Sequence, residues 1–123
     1  MAIRTIYKEF YGTDEHGWQI KDYFNGMYQS GKLEFAIKKI LNKEDCCFNV
    51  LQCRFPDDHS CEEYDHFEGV EFEMGYFDDD SEIIVSEKEC LTFVEEAIFL
   101  YEEKHPDRKG FADADLEKST LGR

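Results

Sequence analysis

The chain has little that breaks a backbone and little that would carry it out of water. Only 2 of its 123 residues are proline and 1 is tryptophan. No Pro- or Ser-rich stretch marks a linker, and neither an internal repeat nor a low-complexity tract divides it, so one domain is expected. No run approaches the ~18 apolar residues of a membrane span. The start, MAIRTIYKEFYG, also lacks a signal-peptide apolar stretch, so a cytoplasmic location is expected. The 5 cysteines are an odd number, which without a secretion signal points to reduced, structural thiols. Cys46 and Cys47 are adjacent, so the C-x-x-C pair of zinc ribbons and redox enzymes is missing. G-x-S-x-G, a phosphate loop and H-E-x-x-H are missing too. Among many carboxylates nothing marks one pair as catalytic, so neither a catalytic residue nor a cofactor is expected.

Basic residues are scarce, and unevenly so. The totals are 14 Lys or Arg against 29 Asp or Glu, a net charge of −15. Residues 1–44 hold 7 basic and 6 acidic residues, and residues 107–123 hold 4 of each. The middle, 45–106, holds 3 basic and 19 acidic residues and so carries −16, while the flanks sum to +1. Phosphate-bearing partners would be repelled by such a surface, which argues against nucleic acid and anionic membrane. A basic protein would be attracted and steered.

What is present is a 41% apolar fraction with 15% aromatic residues, enough to close one core. The segment IRTIYKEFY alternates only weakly and suits a first strand or a short helical turn. GTDEHG is a turn by composition. Ile20, Tyr23, Phe24, Met27 and Tyr28 fall at helical spacing, and Leu33, Ala36, Ile37, Ile40 and Leu41 repeat the pattern after Ser30–Gly31. Together they predict a helical hairpin, the second helix carrying Lys32, Lys38 and Lys39 outward. CCFNVLQCRF reads as one strand buried on both sides. Val70, Phe72, Met74 and Tyr76 alternate with Glu71, Glu73 and Gly75, which predicts a half-buried strand over 68–76 with an acidic outer face. The turn FDDDS then leads to a third strand, 82–85, antiparallel to it. Ser86-x-x-Glu89 is a capping box that opens a helix running to Lys104, with Pro106 as its stop. The expected fold is α+β: a mostly antiparallel sheet of three to four strands packed against an N-terminal helical hairpin and a C-terminal helix. The domain spans 1–106; residues 107–123 read as a polar tail or short extra helix anchored by Phe111 and Leu116.

The acidic block is the strongest functional signal. Asp57, Asp58, Glu62, Glu63, Asp65, Glu71, Glu73, Asp78, Asp79 and Asp80 are the candidate binding residues, chosen on charge and expected exposure. A solvated, solubilising surface is the plain alternative. Against it stand the self-repulsion of such dense charge and the interleaved Tyr64, Phe67, Tyr76 and Phe77, since interfaces set aromatic anchors among charge. A metal site from Asp57, Asp58, His59, Cys61 and His66 has no standard zinc spacing, and DDDSE lacks the glycine of a calcium loop. His16 and His105 read as surface residues of polar turns, Trp18 and Phe24 as core or edge-of-core. By charge alone, an acidic adaptor or regulator of another basic protein fits as well.

Three segments carry a resemblance. IKDYFNGMYQSGKLEFAIKKIL at 20–41, CRFPDD with HFEGVEFEMGY through 53–76, and IIVSEKECLTFVEEAIFLYEEKHPD at 83–107 resemble the immunity proteins of bacterial contact-dependent growth inhibition, in the family paired with ribonuclease toxins. The resemblance implies a cytosolic, non-catalytic protein. Its partner would be the cognate CdiA C-terminal ribonuclease toxin domain, typically basic and tRNA-cleaving, and some related toxins act together with elongation factor Tu. Binding would cover the nuclease active site or its RNA-binding surface. The resemblance assigns no contact residue.

Overall fold

The computed structural model describes residues 17–57, 59, 61–63, 66–74 and 82–122. The expected first element and the FDDDS turn lie outside them.

Both helices of the N-terminal hairpin form where the apolar stripes fall, α1 over Trp18–Gln29 and α2 over Leu33–Leu41. Gly31 (φ 73°) makes the reversal between them, and the Lys32 amide closes it on the Met27 carbonyl at 2.8 Å. The sheet is an antiparallel meander in the order β1-β2-β3-β4: β1 Cys46–Phe48, β2 Leu51–Arg54, β3 Val70–Glu73 and β4 Glu82–Val85. The expected single strand over CCFNVLQCRF is therefore two strands. Asn49 takes φ 53°, so the chain reverses at Asn49–Val50 and pairs Cys46 with Cys53 and Phe48 with Leu51. Asparagine is among the few side chains that tolerate this left-handed conformation.

The core lies between the sheet and the helices. Cys46, Cys53, Phe72 and Ile83 form one inward row across the four strands, and α1 crosses β2, β3 and β4 above it. Tyr23 and Phe24 meet the Phe72 ring at 5.2 and 6.2 Å, and the Tyr23 hydroxyl donates to the Cys46 carbonyl at 2.8 Å. The close approach of α1 to β2 needs Gly26, because a Cβ there would lie 2.5 Å from Leu51 Cδ1. Gly69 (φ 103°) starts β3 hard against the Val85 carbonyl of β4, where a side chain would collide.

Helix α3 spans Glu87–Lys104 and packs on α1 and α2. Its start is the expected one: Ser86 Oγ accepts the Glu89 amide at 3.1 Å. Beyond it, a 3-10 turn at Pro106–Arg108 and the short helix α4, Asp113–Lys118, fold back along the domain. Phe111 and Leu116, the expected anchors, are half-buried; the sealed residues are Ala112, Ser119 and Leu121. Ser119 Oγ donates to the Leu41 carbonyl at 2.5 Å, which ties this segment to the end of α2.

Candidate protein-binding surface

Strand alternation that sends Val70, Phe72 and Met74 inward sends Glu71 and Glu73 to the other face of the sheet. The register then builds two outer rows. Gln52, Glu73 and Glu82 stand side by side in one, and Arg54, Glu71 and Ile84 in the next. Glu73 directly opposes Glu82, an arrangement that costs stability because like charges face each other across strands. With His66 and Phe67 these residues line an open groove of about 510 Å³.

Glu71 is not an exposed carboxylate. It is only 6% exposed, and one of its oxygens receives Arg54 Nε at 2.7 Å and Nη2 at 2.6 Å. Arg54 also lies over the Phe67 ring at 5.6 Å. Such a pair holds position well, since removing either partner leaves a buried charge uncompensated. Glu71 therefore anchors the groove floor, while half-buried Glu73 and exposed Glu82 present charge. Asp57, Glu62 and Glu63 are exposed in the preceding loop, where Asp57 Oδ1 accepts the His59 amide at 3.1 Å, and none of the three lines the groove. Asp58, Asp65 and Asp78, Asp79 and Asp80 lie outside the described residues.

A second cluster was not foreseen. Glu34 of α2 takes Arg108 in a two-pronged contact, Nε to Oε2 at 2.8 Å and Nη2 to Oε1 at 2.7 Å, and also accepts the Tyr101 hydroxyl at 2.7 Å. The Arg108 hydrogen bond, helped by Tyr101 and against partial burial, holds the Glu34 carboxyl down at about 2. Burial and the Glu34 carboxylate push the Tyr101 phenol up to about 12. His105 stacks 4.7 Å from the Tyr101 ring and its Nε2 meets the Tyr28 hydroxyl at 2.9 Å, so it is not a lone surface histidine. Helical spacing gives Tyr28 and Tyr101 as stripe residues, but nothing local in the sequence pairs Glu34 with an arginine 74 positions away.

The thiols divide by burial. Cys46, Cys53 and Cys90 are buried, Cys47 and Cys61 exposed. Burial drives Cys53 well above the usual thiol range and Cys90 to about 12, so both stay protonated hydrophobes. Among the described residues no group of three His, Cys, Asp or Glu comes together to hold a metal ion. No described helix is long and apolar enough to cross a membrane.

Residues 16–116 match the family model described as CDI immunity protein, from just before α1 into α4. The chain belongs to the CDI immunity protein family. No curated protein matches it significantly. The match covers all three segments that carried the resemblance. For a CDI immunity protein the implied partner is a cognate CdiA toxin. The family is generally non-enzymatic.

Proposed function

We propose that this CDI immunity protein neutralises a basic, tRNA-cleaving ribonuclease toxin in the cytoplasm by covering its active site or RNA-binding surface. The observation that carries this reading is the −16 charge of residues 45–106 in a chain of that family. A ribonuclease holds RNA through Lys and Arg set for phosphates, and a surface of carboxylates competes for the same cations. Asp57, Asp58, Glu62, Glu63, Asp65, Glu73 and Asp78–Asp80 are the proposed contacts, with Glu82 added from the groove. Glu71 acts beneath them through its hold on Arg54. Elongation factor Tu enters only as a component that some such toxins bring with them.

The deciding experiment is co-expression with the toxin domain encoded by the neighbouring gene. Growth should be rescued and tRNA left intact. Growth arrest in the presence of folded protein would overturn the reading. Rescue with tRNA never cleaved by the toxin alone would keep neutralisation and remove the tRNA target.

A further inference from the structure

Two phenylalanines are the most exposed large apolar side chains among the described residues, Phe35 on α2 (56% exposed) and Phe99 on α3 (62% exposed). Each lies at the centre of the helix face turned away from the core. Phe35 is flanked at helical spacing by Lys32, Lys38 and Lys39, with Lys39 Nζ 5.6 Å from its ring centroid. Phe99 is flanked in the same way by Glu95, Glu96, Glu102 and Glu103. The two faces are the same pattern with opposite charge.

Among the described residues, local partners do not cancel either patch. Within that set, Lys39 makes a 3.8 Å contact to exposed Glu44, and Lys32 rests over the Phe48 ring at 4.9 Å. On α3, Glu102 accepts the Gly110 amide at 2.7 Å, which leaves Glu95, Glu96 and Glu103 facing solvent beside a shallow groove that Phe99 shares with Pro106 and Lys109. Glu34, the acid nearest the lysine patch in sequence, is held chiefly by Arg108 and Tyr101, with Lys38 adding a smaller attraction. The two charged stretches also match in length, about 10 Å from Lys32 to Lys39 and about 12 Å from Glu95 to Glu103 at 1.5 Å per helical residue.

We propose that the free protein self-associates head to tail, the lysine-ringed Phe35 face of α2 in one copy seating on the glutamate-ringed Phe99 face of α3 in a second copy. The charge complementarity of the two faces selects the second copy. A basic partner would be repelled from α2, whereas α3 of another copy offers both the carboxylates and an aromatic ring. The net charge of −15 opposes association over long range. At physiological ionic strength the screening length is about 8 Å, so the touching patches dominate over distant repulsion. Two helix faces make a small interface, and the affinity belongs in the micromolar to millimolar range.

The proposal goes beyond toxin neutralisation and is tested without the toxin. Sedimentation velocity from about 10 μM to 1 mM in 0.15 M salt should show the mass rising above 14.6 kDa, with the rise reduced at 1 M salt. Lys38→Glu/Lys39→Glu and Glu95→Lys/Glu96→Lys should each weaken association at least tenfold, a loss of about 1.4 kcal/mol or more. Mixing the two variants should restore it, because their altered faces are again complementary. Phe35→Ala and Phe99→Ala, which change no charge, should weaken it as well. A wild type that stays at 14.6 kDa throughout overturns the proposal, as does association that ignores both charge reversals or a mixture that fails to recover. Unchanged circular dichroism of each variant separates these results from misfolding. Toxin rescue by Lys38→Glu/Lys39→Glu should remain at the wild-type level.

Discussion

Glu34 joins three pieces of chain at one carboxylate: its own helix α2, Tyr101 of α3 and Arg108 of the turn that follows. Its folded value of about 2 lies below the ordinary 4.5, so its contribution is fully present above about pH 4.5 and fades as pH falls toward 2. The side chain is 23% exposed and Arg108 more so, which screens the pair and limits the contribution to about 1 kcal/mol. Glu34→Gln should therefore lower stability in urea by about that much at pH 7, and the gap between variant and wild type should close by about pH 2. A gap that persists at pH 2 would assign the loss to packing instead. The residue scale is also where reading from sequence stops soonest. Alternation along 70–76 turns Glu71 away from the core, but its burial depends on Arg54, which only the β2–β3 register brings opposite.

The helices were legible because each has a face that water would reject: the stripes of α1 and α2 and the Ser86 cap of α3 are local facts. The β1–β2 hairpin was not. Apolar residues run on through CCFNVLQCRF with no glycine or proline, and the reversal is made by Asn49 at φ 53°. A β-branched residue in that conformation meets its own carbonyl, so Asn49→Val should destabilise by about 1–2 kcal/mol. Asn49→Gly should hold or raise the unfolding midpoint. Equal stability of the Val variant would mean the turn can be rebuilt at no cost. In the last segment the short extra helix was one of the two expectations, but the residues that seal it were not legible. Ala112, Ser119 and Leu121 are too few and too widely spaced to draw a stripe, yet they fill a slot that α2 and α3 leave open.

For the whole molecule, charge was readable in amount and in its concentration between 45 and 106, while its arrangement depended on the fold. The sheet register sets Glu73 against Glu82, and the helix sets Glu95, Glu96 and Glu103 outward. If the sheet groove receives the toxin, Glu73→Lys/Glu82→Lys should slow association about tenfold or more in stopped-flow, and wild-type association should slow as salt rises. An unchanged rate would move the docking surface to the Asp57–Glu63 loop or to α3. The seal made by Ser119 and Leu121 has a consequence in time rather than space. A chain still being synthesised keeps the α2 side of its core open until residue 121 has left the ribosome, because Ser119, which donates to the Leu41 carbonyl, and buried Leu121 are not yet in place. Under the proposed function, protection should then follow the stock of finished molecules.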